Sequence, residues 1–340
     1  MTQPGVTQLG VTHHLVVGPG EHGVTRYALQ HAAAGAGAGD TVTRVERAIG
    51  PGDVGPLLSR LPASGTHVHV TDKLFGASPE QAREVLTGLA AAGLSVTLHD
   101  LPQESDGPAS RARRTACYAA VARAARRVVV SSEHERLLLQ ECLHPGGPLP
   151  GGTAVIPLAV DAAPWRPPAA HAEPPDVGLL GFVYPGKGHA EALRALAGLP
   201  EQVGLLALGR ASAGHDDLLA ELAVTAAALG RRLVVTGYLP DDQLASRLRT
   251  VAVPLTAHRH LSASASIGSW LTAGRRPLVQ RSRYAAELAD RLPGALTLYD
   301  DLPTALRAAL ADPGSTWLDP HTVLGPSTTE VARRYREVLG

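Results

Sequence analysis

Short apolar runs alternate with segments of helical periodicity along the whole chain, and this alternation constrains the fold more than any other feature. The segment 78–93 has apolar residues at the spacing of one helix face, namely Ala82, Val85, Leu86 and Leu89. Strand–helix–strand repetition predicts an α/β fold, with parallel sheets covered by helices on both faces. The predicted strands are 14–18, 66–70, 94–100, 127–132 and 153–158, followed by 177–182, 203–209, 232–238, 251–255, 276–280 and 296–300.

A proline-rich segment, 160–176, divides these strands into two groups. Proline at this density cannot continue a helix or a central strand, so the segment is typical of a semi-rigid linker. We therefore predict two Rossmann-like, doubly wound domains, residues 1–162 and 163–326, that face a central cleft. The last segment, 327–340, has the pattern of a helix and is predicted to pack back on the first domain.

Composition argues against several classes of protein. The 31 basic and 31 acidic residues give a net charge of zero, so no overall field attracts nucleic acid. No apolar run approaches the ~20 residues that span a bilayer, and the first residues lack the basic region of a secretory signal. Cys117 and Cys142 have neither metal-binding nor redox spacing. We expect a cytoplasmic protein.

Fifteen histidines raise the question of a metal site. The strand 66–70 places His67 and His69 on one face. A zinc site needs more ligands than two, and the pattern offers no third. We therefore expect no metal ion.

Two predicted strand ends of the first domain carry candidate ligand-binding residues. Gly18, Gly20 and Gly23 surround the turn after the first strand, where glycine lets a ligand approach the backbone; such turns are also often merely structural. Their spacing is not that of a dinucleotide-binding fingerprint. His99 and Asp100 end a later strand, where the histidine could bind a substrate hydroxyl and the carboxylate could orient it. The alternative is that Asp100 caps a turn and His99 only packs.

In the second domain, a glycine turn with a lysine follows the first strand. Gly181, Gly186 and Gly188 surround Lys187 at the entrance of a predicted helix. An ammonium group beside free backbone N–H groups can bind a phosphate, the ammonium supplying charge and the amides geometry. A lone "GKG" is common in loops, but at a strand–helix junction it favours an anion site.

A loop rich in small residues, 256–266, precedes another helix of the second domain. No carboxylate occurs between Asp242 and Glu287, and Arg259 adds a cation between two histidines. Small side chains keep the helix start open to a diphosphate, and serine hydroxyls can donate hydrogen bonds. The alternative is a serine-capped helix with the arginine in solvent. The residues predicted to contact the anion are Arg259, the amides of Ser264, Ala265 and Ser266, and the hydroxyls of Ser262, Ser264, Ser266 and Ser269.

Seven segments, in this order, resemble the retaining glycosyltransferases of family 4, which have the GT-B architecture. The similarity covers nearly the whole chain. The segments are "GEHGVTRYALQ", "VTLHDLPQ", "VVVSSEHERLLL", "VIPLAVD", "LLGFVYPGKGHAEALRAL", "VVTGYLPDDQLASRL" and "LTAGRRPLV".

This resemblance implies a UDP- or GDP-sugar donor bound chiefly by the second domain, with its diphosphate near Lys187 and the helix starts. Gly23 would lie by the diphosphate or the donor sugar, and His99 by the reacting sugar. The resemblance also implies retention of the anomeric configuration and no metal or other cofactor. An acceptor, whether a small molecule, a glycan or a lipid, would occupy the first domain. There Asp72 and Lys73, which end another strand, could line its pocket; the alternative is a helix-capping turn.

Three positions depart from the family pattern. Phe182 stands where the family has an arginine at the diphosphate. The family's two glutamates fall at about Leu261 and Ser269, so the acidic groups that bind sugar and ribose hydroxyls are lost. We interpret the chain as a divergent subfamily; the alternative is a degenerate GT-B scaffold that binds a nucleotide or a partner protein without turnover.

A run of arginines in the first domain offers a clue to the acceptor. Basic amphipathic helices can rest on anionic membranes, which would favour a lipid acceptor and a peripheral location at the inner membrane face. More often such a run is a solvated helix face. The arginines are Arg111, Arg113, Arg114, Arg123, Arg126 and Arg127.

Overall fold

The computed structural model describes residues 11–90, 92–143, 148–150, 152–165, 174–258 and 260–340. The chain forms two compact units. The first comprises residues Met1–Ala159 together with Pro326–Gly340, and the second comprises Val160–Gly325. Each unit contains one six-stranded sheet with helices, so the predicted α/β class is confirmed.

The strands are β1 His13–Val17, β2 Thr41–Val45, β3 Thr66–Val70, β4 Ser95–Leu98, β5 Arg127–Val130, β6 Thr153–Val155, β7 Val177–Leu180, β8 Leu205–Leu208, β9 Leu233–Val235, β10 Val253–Thr256, β11 Leu278–Gln280 and β12 Thr297–Tyr299. The helices are α1 Gly23–Gly35, α2 Val54–Leu58, α3 Pro79–Ala90, α4 Pro108–Ala124, α5 Glu133–Cys142, α6 His189–Leu196, α7 Asp216–Ala228, α8 Asp241–Arg249, α9 Ala265–Thr272, α10 Arg283–Arg291, α11 Leu302–Ala311 and α12 Thr328–Leu339.

The sheet of the first unit has the order β2-β1-β3-β4-β5-β6, with every neighbouring pair parallel. Its two faces differ in chemistry because successive side chains of a strand point to opposite sides. One face is apolar and packs on α3 and α4, for example through Val68 and Val96. The other face is polar, although it too is buried. It carries His14, His67, His69 and Thr97.

Helix α12 covers this polar face from the far end of the chain. Its buried residues Val331, Tyr335 and Leu339 form a cluster with Val129 and Ile156 of the first unit. The Tyr335 hydroxyl lies 2.9 Å from Thr97 Oγ1, and its ring centroid lies 4.0 Å from that of His31. The last helix is therefore part of the first unit's core.

Truncating Tyr335 to alanine is expected to destabilise the first unit by about 3–5 kcal/mol, because a fully buried ring is lost. Tyr335→Phe is the matched control and should lose only about 1 kcal/mol, the contribution of one hydrogen bond. Circular dichroism would follow both units during unfolding. Tryptophan fluorescence would follow the second unit alone, since Trp165, Trp270 and Trp317 all lie there. If the unfolding transition of the first unit were the same in Tyr335→Ala as in the wild type, this role of α12 would be contradicted.

The sheet of the second unit has the order β12-β11-β10-β7-β8-β9, again fully parallel. Read from β9, this is the 3-2-1-4-5-6 order of a Rossmann fold. All six strands predicted for this half are present. The order reverses between β7 and β10, and ligands of such sheets bind outside the carboxyl ends of the strands at that point.

The arginine run of the first unit does not form one basic helix face. Only four of the six arginines lie on α4, because Arg126 and Arg127 follow it. Arg113 pairs with Glu80 at 2.6 Å, and Arg114 is buried. The prediction that all six arginines lie on one helix is therefore wrong, whereas the membrane contact stays a prediction. Within the described residues, no helix combines the length and the apolar character needed to cross a bilayer.

Candidate functional site

The switch point of the second sheet brings together two segments that the sequence predicted to bind an anion. The turn 181–188 leaves the carboxyl end of β7, and residues 257–264 leave the carboxyl end of the neighbouring β10. The two segments pack closely at Gly188, where an added Cβ would lie only 2.5 Å from the Cβ of Ala257. Its φ of +99° is a second reason why only glycine fits there.

Lys187 is the cation at this switch point, and it is almost fully buried, with 6% of its surface exposed. Its Nζ would lie 3.0 Å from a Cβ placed on Gly181, so the ammonium group lies against the start of the turn. Among the described residues, no carboxylate forms an ion pair with it. Burial alone lowers the pKa of Lys187 to about 7.

Two buried histidines share the surroundings of Lys187. Both ring nitrogens of His189 and the Nδ1 of His258 have no hydrogen-bond partner among the described residues. Burial, reinforced by the nearby Lys187, lowers the pKa of His189 to about 3 and that of His258 well below its usual value. We call these three groups the buried basic cluster; an anion would supply the negative charge and the hydrogen-bond acceptors that they lack.

The serines at the start of α9 are largely engaged in capping the helix. Ser264 Oγ accepts a hydrogen bond from the Ile267 N–H at 3.3 Å, and Ser269 Oγ donates to the Ala265 carbonyl at 3.1 Å. The Ser264 N–H donates to the Tyr284 hydroxyl at 3.2 Å. This donor is already used, so the predicted contact of the Ser264 amide with an anion would have to replace its bond to Tyr284.

The other predicted contacts of this loop are placed as follows. The N–H groups of Ala265 and Ser266 open α9 and, as in every helix, lack an intrahelical acceptor. Ser266 Oγ lies 3.0 Å from Ser264 Oγ, and Ser262 is buried. Arg259 lies outside the described residues. Leu261, at one of the two lost glutamate positions, packs in an apolar cluster with Ile267.

Phe182, which replaces the arginine expected beside the turn, is itself covered by an arginine. The guanidinium carbon of Arg210, which follows β8, lies 5.7 Å from the centre of the Phe182 ring. An arginine stacked on an aromatic face keeps its charge and its hydrogen-bond donors. Sequence reasoning missed Arg210 because it comes from a different strand end.

In the first unit, His99 lies at the carboxyl end of β4 and is buried. Its Nε2 lies 3.0 Å from His69 Nδ1, and its carbonyl accepts a hydrogen bond from the Tyr118 hydroxyl at 2.7 Å. Asp100 does not orient the ring, contrary to the sequence interpretation. Its carboxylate is directed to Arg114, with Nη2 to Oδ2 at 3.4 Å. His69 is the residue that holds His99.

Asp100 itself has an unusual backbone. Its φ of +55° makes it the one non-glycine residue with positive φ in the described parts of the chain. Left-handed backbone is tolerated by aspartate better than by most residues, and it often marks functional sites. Here the bend turns the chain sharply after His99.

Asp72 and Lys73, the predicted acceptor residues, have different environments. Asp72 is buried and pairs with Arg114, whose Nε lies 3.0 Å from Asp72 Oδ2. Arg114 also binds Asp106 at 2.6 Å, so Asp72 belongs to an internal ion-pair network. That network makes a contact of Asp72 with an acceptor the weaker interpretation. Lys73 is exposed.

The turn after β1 presents His22 and Gly23. Gly23 is the first residue of α1, and a Cβ placed there would meet no described atom within 4 Å. His22 caps α1 by accepting from the Val24 N–H at 3.3 Å. Burial lowers the pKa of His22, while the charge of Asp100 raises it and that of Lys73 lowers it. Burial also lowers the pKa of His99, with a smaller lowering by His22. His22 therefore belongs to the same edge, and sequence reasoning missed it.

The fold resembles those of several solved structures over nearly its whole length. Sucrose-phosphate synthase from Thermosynechococcus elongatus matches with a TM-score of 0.69 and 17% identity, over 97% of this chain and 95% of that one. The Anabaena protein HepE, in complex with UDP-glucose, matches with a TM-score of 0.68 and 15% identity, over 97% and 99%. A UDP-forming α,α-trehalose-phosphate synthase from Burkholderia xenovorans, in complex with glucose-6-phosphate, gives 0.57 and 13%, over 85% and 76%. These proteins have the GT-B architecture. The chain has the GT-B fold.

The GT-B fold is established by structure and not by sequence similarity. No protein-family model and no curated protein matches the sequence. The resemblance to family 4 in particular stays a prediction. Within the GT-B frame, the second unit carries Lys187, Gly181 and the start of α9 at one sheet edge, and the first unit carries Gly23 and His99 at the corresponding edge of its own sheet.

Proposed function

We propose that this protein is a glycosyltransferase that moves a sugar, of the hexose class, from a UDP- or GDP-sugar to an acceptor with retention of configuration. The observation that carries the proposal is the buried basic cluster around Lys187 at the switch point of a Rossmann-type sheet. Such a cluster, with no carboxylate pairing its lysine among the described residues, suits a diphosphate. The complexes of HepE with UDP and with UDP-glucose support the choice of ligand class.

The reaction would break the bond between the anomeric carbon and the diphosphate, so negative charge grows on the leaving group. Lys187 would bind that charge, and the first amides of α9 would add hydrogen bonds from a helix N-terminus. Arg210, stacked on Phe182, would stand in for the arginine missing from the turn. Because fixed cations of this kind would stabilise the leaving group, we also propose that the reaction requires no metal ion.

We assign the reacting sugar to His99 and Gly23 of the first unit, and the acceptor to the same sheet edge. A buried neutral imidazole, held through its Nε2 by His69, keeps Nδ1 as its remaining polar atom for a hydroxyl. Burial lowers the pKa of His99 to about 4, which favours that neutral form. His99 would position the sugar, and Gly23 would leave room for it.

The second candidate is a GT-B scaffold that binds a nucleotide without turnover. It is favoured by the two lost glutamate positions, since Leu261 is buried in an apolar cluster and the Ser269 hydroxyl is bonded within its own helix. Neither residue can replace a carboxylate that binds sugar hydroxyls. The two candidates agree on nucleotide binding and differ in catalysis.

Calorimetric titration with UDP, GDP and ADP, without metal and with magnesium, tests the shared part. We expect saturable binding of UDP or GDP that magnesium does not require. Slow hydrolysis of the corresponding nucleotide-sugar to free sugar and nucleotide would then support the enzyme. Binding without hydrolysis or transfer to any acceptor would favour the scaffold, and no binding of any nucleotide would reject both.

A further inference from the structure

Five histidines lie together on the buried polar face of the first sheet, between the strands and the helices α1 and α12. We call this group the histidine cluster. It contains more imidazoles than the proposed transfer needs, since only His99 reaches the sheet edge. Its members are His14 of β1, His31 of α1, His67 and His69 of β3, and His99.

Three members of the histidine cluster have the geometry of metal ligands. His14, His31 and His69 each offer a ring nitrogen within 4.8 Å of the other two. His31 Nδ1 and His69 Nε2 are only 3.2 Å apart. In tetrahedral zinc with Zn–N bonds of about 2.0–2.1 Å, two ligand nitrogens lie about 3.3 Å apart. The separation of His31 Nδ1 and His69 Nε2 therefore already matches one edge of the coordination tetrahedron. The rings of His14 and His31 cross at 77° and those of His31 and His69 at 90°, so they meet edge to face and are not stacked.

The surrounding residues fix the imidazole tautomers that such a site requires. His14 Nε2 lies 3.5 Å from Asp40 Oδ2, and both side chains are 1% exposed. If Nε2–H donates to this carboxylate, the lone pair of His14 is on Nδ1, which has no partner among the described residues. Likewise, His69 Nδ1–H can donate to His99 Nε2, which leaves the lone pair of His69 on Nε2. Zinc-binding histidines typically donate their second ring N–H to such a partner.

A purely hydrogen-bonded arrangement explains less of this geometry. A single proton between His31 and His69 would account for their 3.2 Å separation. It would still leave the buried His14 Nδ1 unsatisfied, which costs about 1–3 kcal/mol. The Asp40 carboxylate lies beside the site and is shared with Arg336, whose Nη1 lies 3.8 Å from Asp40 Oδ2.

We propose that His14, His31 and His69 bind a zinc ion beneath α1 and α12. The three ligands come from β1, α1 and β3, so the ion would link two neighbouring strands of the first sheet to the helix α1 that covers them. Imidazole nitrogens suit zinc, and a fourth position remains for a solvent molecule. We assign the site a structural role. It differs from the expectation of no metal, because His14 and His31 lie far from His69 in the sequence.

Metal analysis of the full chain, purified without a histidine tag or a metal column, tests the proposal. We expect one zinc ion per chain in the wild type and a tenth of that or less in His31→Gln and His69→Gln. His67→Gln is the matched control, because this histidine belongs to the cluster but not to the proposed ligand set, and it should keep its zinc. Loss of zinc in His67→Gln alone would overturn the ligand assignment.

A refolding experiment on the wild-type chain gives a result that depends neither on how the metal was loaded during expression nor on whether the variants fold. Wild-type chain unfolded in denaturant with a chelator, then refolded with cobalt, should show the visible absorption of tetrahedral cobalt bound to nitrogen. Addition of zinc should abolish that absorption. A chain that refolds to its native circular dichroism with neither zinc nor cobalt bound would overturn the proposal, and the cluster would then be a hydrogen-bonded network alone.

Discussion

Replacing Lys187 by methionine is expected to weaken the binding of UDP-glucose by roughly 10- to 150-fold at pH 6.5, the equivalent of one charge-assisted hydrogen bond of about 1.5–3 kcal/mol. If the protein binds GDP and not UDP, GDP-glucose is used as the probe in place of UDP-glucose. Lys73→Met is the control. Lys73 is the only other lysine in a chain with 29 arginines, and it is exposed. Equal affinity of Lys187→Met and wild type would remove Lys187 from the diphosphate site.

The same lysine should make binding depend on pH in a defined direction. In the free protein burial lowers the pKa of Lys187 to about 7, whereas a bound diphosphate favours the charged form and raises it. Below pH 7 the group is already charged and affinity should be constant. Above pH 7 binding must take up a proton, so affinity should fall by about tenfold per pH unit. Lys187→Met should show no such slope.

Two lysines also make the pKa directly measurable. In protein labelled with 13C-lysine, NMR would show the Lys187 side-chain signal titrating near pH 7, and its absence in Lys187→Met would assign it. Its midpoint should shift upward when the nucleotide-sugar binds. If no signal titrates near pH 7, the Lys187 ammonium group is hydrated and is not as dry as its burial indicates. An arginine stays charged and could not take up a proton when the ligand binds, which is a physical reason for a lysine at this position.

Replacing Arg275 by methionine should destabilise the second unit by about 3–5 kcal/mol, because its guanidinium is fully buried and satisfies several backbone carbonyls at once. Nη1 donates to the carbonyl oxygens of Leu248 at 3.1 Å and of Val251, and Nη2 donates to that of Ala252 at 3.0 Å. The guanidinium also lies 4.1 Å from the centre of the Trp317 ring. Without it, these carbonyls would stay buried without a donor.

Tryptophan fluorescence during urea or thermal unfolding would measure this loss, since all three tryptophans report on the second unit. We expect the midpoint temperature to fall by about 6–20 °C in Arg275→Met. Arg276→Met is the adjacent control, with contacts of 3.4 Å to one carbonyl, and should change stability by under about 1 kcal/mol. A similar midpoint for Arg275→Met and wild type would contradict the structural role of this residue.

How far the sequence predicts the fold depends on the burial of each strand. The strands of the second unit are continuous apolar runs, and all six were predicted because a strand covered on both faces must be apolar throughout. Strand β2 was not predicted. It lies at the edge of its sheet, and Thr41 and Val42 are exposed, so its pattern does not stand out from a loop.

The sequence predicted which strand ends carry the candidate site residues, but not the hydrogen bonds and neighbours of each side chain. The strand ends that carry Lys187 and His99 follow from the βαβ pattern, because parallel strands place their carboxyl ends on one edge. Which serine hydroxyl caps α9 and which faces a ligand does not follow, since both uses need the same residues at a helix start. Arg210 and His69 come from neighbouring strands, and only the register of those strands places them.

Because α12 is part of the first unit, the order of synthesis and the order of folding differ in this chain. The second unit is complete once Gly325 has been made, whereas the first lacks a buried part of its core until the final residues appear. Domains usually fold in the order of their synthesis. Here the half made first keeps part of its polar face uncovered until the residues after the second unit have been made, so its core cannot be completed before the second unit is synthesised.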